Sequence, residues 1–129
     1  MITALHALIY SDDAAATRAF FKDVLRWPFI SDQGESADPN DWLIFRSGPS
    51  ELGVHPTVSV HESKEYRSPR HHSVSLMCDD LETTMAELAE RGAEFNGETQ
   101  NLGFGVGVNV KVPGADDILL YQAYYPPAY

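Results

Sequence analysis

Two aspartate pairs constrain this chain more than any other feature. Asp12-Asp13 and Asp79-Asp80 each close an apolar, strand-like run and open a helical one. Superimposing Asp13 on Asp80 aligns Phe21 with Leu88, eight residues on in both copies. In each copy the order reads strand, Asp-Asp, helix, loop, strands. One such unit has a sheet face that it cannot bury alone, and two copies packed together solve that problem. The aspartates themselves read as helix caps and first-turn acids rather than as a catalytic carboxylate pair.

Periodicity supplies the elements. A strand is expected over Ile2 to Ser11. A helix follows from about Ala14 to Leu25, with Ala16, Phe20, Phe21, Val24 and Leu25 at helical spacing, and Trp27-Pro28 stops it. A polar loop over Ser31 to Asn40 leads to strands at Trp42 to Phe45 and Glu51 to His55, separated by the turn Ser47-Gly48-Pro49-Ser50. Pro56 to Arg70 is the most polar stretch and reads mostly as linker, although Val58 and Val60 suit a strand. The pattern then restarts, with a strand from His72 to Cys78. A helix over Leu81 to Arg91 faces the core with Leu81, Met85 and Leu88. Strands begin at Ala93, run through Gly103 to Val112, and end the chain's regular structure at Ile118 to Gln122. The expectation is one domain over 1–129, with module one at about 1–56, a linker at about 57–70 and module two at about 71–129.

Charge excludes one class of partner. The 129 residues carry 19 acidic and 9 basic side chains, a formal charge of −10. The few cations are scattered, whereas binding phosphate backbones needs them clustered. No run approaches the roughly 20 apolar residues of a membrane span. No basic segment followed by an apolar run marks a signal peptide, so a cytoplasmic protein is expected. The single cysteine, Cys78, excludes an intramolecular disulfide and reads as a small buried hydrophobe.

Several runs together resemble the vicinal-oxygen-chelate superfamily of glyoxalases, bleomycin-resistance proteins and extradiol dioxygenases. They are Leu5-His6-Ala7-Leu8-Ile9-Tyr10-Ser11-Asp12-Asp13, Phe20-Phe21-Lys22-Asp23-Val24-Leu25, Glu51-Leu52-Gly53-Val54-His55-Pro56, Leu76-Met77-Cys78-Asp79-Asp80-Leu81-Glu82, and Pro113-Gly114 before Ile118-Leu119-Leu120-Tyr121. The resemblance implies an α+β fold: two tandem βαβββ modules forming a cupped mixed sheet with helices on the outside. It also implies a homodimer and a small-molecule ligand, and neither nucleic acid nor membrane as partner.

Enzymes of that superfamily hold one divalent metal (Zn, Fe, Mn or Ni) with His, Gln or Glu from the first and last strands of each module. His6 stands at the first-strand position, seven residues before Asp13. The same offset before Asp80 lands on Ser73 rather than on His72, and adjacent strand residues face opposite sides. Gly53 takes the last-strand position of module one, with Glu51 and His55 two residues to either side. Leu119 stands where the family has glutamate. The candidate ligands are therefore His6, His55 and His72, and the cofactor is either none or one divalent metal.

His6, Tyr10, Trp42, His55, Ser73, Phe104 and Tyr121 are the candidate pocket lining, with aromatic faces suited to a flat or apolar ligand. Gly103, Gly105 and Gly107 recur at every second position and would let a ligand or another backbone approach closely. Two functions remain open: a binding protein or metal-free enzyme, and a metal-dependent lyase or extradiol dioxygenase.

Overall fold

Asp13 and Asp80 cap their helices in the same way. The Asp13 Oδ1 accepts the Ala16 amide at 3.0 Å, and the Asp80 Oδ1 accepts the Thr83 amide at 2.7 Å. Four residues past each cap a threonine hydroxyl bonds back to the cap carbonyl, Thr17 to Asp13 at 3.2 Å and Thr84 to Asp80 at 2.6 Å. Four residues further on, Phe21 and Leu88 are both buried. The duplication read from two aspartates thus extends to three positions. The structure is a computed structural model that describes residues 7, 9, 11–51, 53 and 56–127.

The Thr83 backbone amide, and after it the Thr83 side chain, holds the Asp80 carboxyl below its ordinary range. A lowered carboxylate stabilises the fold above its ordinary pKa, and that contribution is lost as pH falls through the lowered value. Asp13→Ala and Asp80→Ala are each expected to lower the thermal midpoint by roughly a few degrees at neutral pH. The Asp80→Ala deficit should shrink in acid, as thermal melts between neutral pH and the carboxylate range would show.

Helix α1, Ala14–Ala19, widens into a π-helical turn over Phe20–Val24, where the Leu25 amide reaches back to the Phe20 carbonyl at 3.0 Å. Arg26 then takes a left-handed φ of 58°, and the Trp27 amide closes on the Phe21 carbonyl. The expected helix to Leu25 is therefore present, in two geometries. Module one continues with β1, Phe29–Ile30, paired antiparallel to β2, Ile44–Phe45. This ribbon stacks Phe45 on Phe21 with ring centroids 5.5 Å apart. Its other side carries the exposed pair Ile30 and Ile44. The strand read from Trp42 is thus shorter, and the loop before it holds a short 3-10 turn, Gly34–Ser36. Glu51 and Gly53 lie outside any strand. The expected first strand falls almost entirely outside the described residues.

The polar stretch after module one is not featureless. Strands β3, Val58–His61, and β4, Lys64–Arg67, form a hairpin, so Val58 and Val60 do lie in a strand. Glu62 and Ser63 join them with φ of 50° and 65°. Positive φ at both loop residues is the twist a two-residue hairpin needs, here adopted without the usual Asn-Gly.

Module two is complete among the described residues. Strand β5, Ser75–Cys78, precedes α2, Leu81–Glu90, and then come β6, Phe95–Asn101, β7, Gly105–Val110, and β8, Ile118–Ala123. They form one mixed sheet in the order β5-β8-β7-β6, with β5 parallel to β8 and the other pairs antiparallel. The chain is α+β, as expected. Strand β5 begins at Ser75, not at His72, because His71 to Val74 are exposed and make no ladder.

One face of this sheet presents Leu76, Val108, Val110, Ile118 and Leu120 to Leu81 and Leu88 of α2, and Phe20 and Phe21 of module one join the same buried cluster. Alternation sends Ser75, Met77, Leu119, Tyr121, Gly107 and Asn109 to the opposite face. The turn between β7 and β8 ties the modules together. The Pro113 carbonyl accepts the Thr17 hydroxyl at 2.6 Å, and the Gly114 carbonyl accepts the Asp12 amide and the Ser11 hydroxyl, both at 2.8 Å.

Candidate functional site

The sheet face turned away from α2 is where chemistry has room. Asn96, Glu98, Gln100, Leu102, Asn109 and Leu119 line an open depression of about 270 Å³ there. Its base is made by Gly107, and the glycines of β7 have a clear role. A Cβ on Gly107 would sit 2.9 Å from a Leu102 methyl and 3.0 Å from a Leu119 methyl. A Cβ on Gly105 would sit 2.4 Å from the Gln122 carbonyl oxygen. The close approach expected of this strand is therefore to a neighbouring backbone at Gly105 and to two leucines at Gly107. Gly103, the third of the expected series, precedes β7 with φ of 86° and has nothing within 4 Å of an added Cβ.

Beside the depression the sheet carries an aromatic and carboxylate cluster. Tyr121 is buried, with 7% of its surface exposed, and lies edge-on to Phe104 with centroids 5.3 Å apart. Its hydroxyl donates to Glu51 Oε1 at 3.3 Å, across 70 residues of sequence. The Tyr125 hydroxyl donates to the same carboxylate oxygen through a short hydrogen bond and lies 2.8 Å from the Tyr121 hydroxyl. The Glu51 carboxylate, and after it the Tyr121 hydroxyl, holds the Tyr125 phenol protonated well above the usual tyrosine range. A carboxylate stabilises the neutral donor and repels the phenolate.

Of the expected pocket lining, Phe104 and Tyr121 are in contact with each other. By sequence, Glu51, flanking Gly53 on the side away from His55, is an alternative to His55 as a ligand, and Tyr125 has no expected partner.

The other candidates are dispersed. His6, Tyr10 and His55 lie outside the described residues. His72 and Ser73 are exposed and precede β5, so the alternation argued for them does not apply. Trp42 is 59% exposed, with the Arg18 guanidinium 5.4 Å over its ring, and Arg18 also donates to the Pro39 carbonyl. That pairing fixes the loop before β2. Cys78 is half-buried and donates to the Tyr121 carbonyl at 3.6 Å, and burial pushes its thiol up. A protonated thiol is a poor nucleophile.

The described donors do not fit the family's metal. Leu119 has no lone pair and packs on Gly107, His72 is exposed outside the sheet, and the Glu51 carboxylate accepts two phenols. No three His, Cys, Asp or Glu side chains converge among the described residues.

Comparison with known proteins places this geometry. The sequence model of the glyoxalase/bleomycin resistance protein/dioxygenase superfamily matches residues 3–116. A member of that superfamily from Sphaerobacter thermophilus DSM 20745 superposes with a TM-score of 0.58 at 20% identity, covering 94% of this chain and 98% of that one. TnmS3, an antibiotic binding protein from Streptomyces sp. CB03234, gives 0.55 at 17% identity, covering 95% and 99%. Lactoylglutathione lyase from Agrobacterium tumefaciens gives 0.54 at 12%, covering 93% and 96%. At such identities the likeness speaks for the fold. No curated protein matches the chain.

Proposed function

Because the chain belongs to the glyoxalase/bleomycin resistance protein/dioxygenase superfamily, we propose that it binds a small organic molecule in its cup without the family's complete metal site. The observation that carries this reading is Leu119. It stands at the last-strand position where the family has glutamate, and its methyl group is packed against Gly107 on the face that looks into the depression. A hydrocarbon there supplies contact area and no ligand for a cation. The antibiotic-binding neighbour of like fold agrees with a binding role.

The aromatic cluster beside the depression favours a flat, partly apolar compound. Phe104 is 47% exposed and stands edge-on to Tyr121, leaving a ring face for stacking. Ile30, Ile44 and Trp42 add exposed apolar surface on module one. His6, Tyr10, His55 and Ser73 complete the proposed lining. A homodimer in the cytoplasm is part of the same reading. No helix among the described residues is long and apolar enough to cross a membrane.

The metal-dependent lyase or dioxygenase remains the second reading, with His6, His55 and His72 as ligands. The lactoylglutathione lyase of like fold favours it. Two measurements separate the readings. Elemental analysis of dialysed protein should give far less than one Zn, Fe, Mn or Ni per chain. A stoichiometric metal, lost in His6→Ala, would overturn the binding reading. A planar probe, 2-methoxynaphthalene, should bind saturably at one site per chain. Phe104→Ala should weaken it by roughly tenfold, the loss of about 1.4 kcal/mol of ring contact.

A further inference from the structure

The geometry points to Tyr125 as a displaceable plug over the Glu51 carboxylate, beside the depression, and to a ligand that replaces it: a planar ring bearing a hydroxyl donor, seated on that carboxylate. The inference rests on the small-molecule reading above and names the ligand class of that site.

Three observations carry it. One oxygen of Glu51 accepts hydrogen bonds from two phenols. Tyr121 belongs to β8 and is buried, and its one hydroxyl hydrogen is shared between the Glu51 oxygen at 3.3 Å and the Tyr125 oxygen at 2.8 Å, so it passes wholly to Glu51 when Tyr125 leaves. With that bond in place the carboxylate keeps a partner when the second phenol leaves, so departure of Tyr125 does not strand a charge. Tyr125 is a surplus donor, and its position is one that another hydroxyl can take.

The tail is also built to leave. Past Ala123 every described residue is exposed. The Tyr124 amide donates to the Phe104 carbonyl at 2.9 Å, and the Tyr125 phenol reaches Glu51. Pro126 and Pro127 have no amide hydrogens, so they cannot extend the β8 ladder and anchor the tail further. Segments held by a few exposed contacts open at a small fraction of the global unfolding cost.

The plug states the chemistry of its replacement. Glu51 holds the Tyr125 phenol protonated far above its ordinary range. The acceptor therefore favours a neutral phenolic or enolic hydroxyl and disfavours an anion. Phe104, edge-on to Tyr121 and half-exposed, supplies a ring wall beside that acceptor. An aromatic ring with a hydroxyl meets both requirements, as the tyrosine side chain itself does.

The test compares two probes that differ only in the donor, 2-naphthol and 2-methoxynaphthalene, against the full chain. A plug competes with every occupant, so its loss tightens both probes by the same factor. Tyr125→Phe and truncation after Ala123 should each tighten both by roughly tenfold, while the preference for 2-naphthol, also roughly tenfold, is retained. Glu51→Leu should abolish that preference. Saturating 2-methoxynaphthalene should shift the Tyr125 resonance of isotope-labelled tyrosine toward that of a free phenol. Unchanged affinities in Tyr125→Phe and in the truncated chain would overturn the plug and leave the binding reading standing. Equal affinity of the parent chain for the two probes would overturn the ligand class. Failure of both probes to bind even the truncated chain would remove the binding reading as well.

Discussion

Phe21→Ala is expected to lower the free energy of unfolding by about 3–5 kcal/mol. Phe21 is 6% exposed and stands where three other rings converge. Its centroid lies 5.8 Å from Phe20, 5.2 Å from Trp27 and 5.5 Å from Phe45. Each contact comes from a different constraint: Phe20 from the π-helical turn, Trp27 from the residue that closes it, and Phe45 from β2. Side chains held by three separate backbone segments cannot collapse together into the void, so most of the cavity penalty remains. The aromatic pairs add a loss beyond area of roughly 0.5–1.5 kcal/mol each.

Phe21→Leu, which keeps most of the volume but loses the three ring pairs, should cost less, about 1.5–3 kcal/mol. The contrast between the two isolates volume from ring chemistry. Urea unfolding followed by tryptophan fluorescence is the measurement, since Trp27 touches the deleted ring. A midpoint shift at constant slope reads as stability. If Phe21→Ala shifted the midpoint no more than Phe21→Leu, the ring cluster would not be the core of module one. Domains of this size are stable by about 5–15 kcal/mol, so the substitution removes a large share.

That residue also shows how much was legible beforehand. The alignment of Phe21 with Leu88 needed only the two Asp caps, because a cap fixes where helical periodicity starts and the period fixes which residue turns inward. Helix α2, the turn at Pro113 to Asp116 and strand β8 follow from the same local rules, each within a residue or two. What local rules missed was set by tertiary contact. The β3-β4 hairpin lacks an Asn-Gly signal, since Glu62 and Ser63 accept positive φ without glycine. Strand β5 starts at Ser75 because that residue pairs with Leu119, one residue into its parallel partner β8, and the alternation of His72 and Ser73 has no sheet to act on.

The site was legible only where residues share a strand or a turn. Phe104 sits in the bend just before β7, and its edge-on contact with Tyr121 of β8 comes from that bend rather than from strand alternation. The Glu51 bond to Tyr125 spans 74 residues and depends on the path of the tail after Ala123. No propensity encodes that path. Gly105 and Gly107 were correctly singled out, yet a missing side chain does not say what fills its space. The answer, Leu102, Leu119 and the Gln122 carbonyl, is a property of packing.

Gly114→Ala is the second substitution expected to be severe, at about 2–4 kcal/mol, and it probes how the two modules are joined. Gly114 has φ of 81°, which costs an L-residue about 1 kcal/mol by itself. Its added Cβ would lie 2.6 Å from the Ser11 hydroxyl and 2.7 Å from the Asp13 carbonyl oxygen. Asp13 is the helix cap, and its carbonyl also accepts the Thr17 amide and hydroxyl. The clash therefore pushes on a group that cannot move without opening α1. Relief must come from the turn, which would release the bonds from Ser11 and Asp12 to Gly114 and from Thr17 to Pro113.

Gly92→Ala supplies the control. Gly92 has φ of 93° with nothing within 4 Å of its added Cβ, so it bears the backbone cost alone. Its measured loss, about 1 kcal/mol, subtracted from that of Gly114→Ala, gives the cost of unlatching module two from module one. Equal losses in chemical denaturation would mean that the turn does not latch the modules. A larger loss at Gly114 should be accompanied by weaker binding of 2-methoxynaphthalene if the proposed ligand site includes the hydrogen bond between Glu51 and Tyr121, which joins the two halves of the chain.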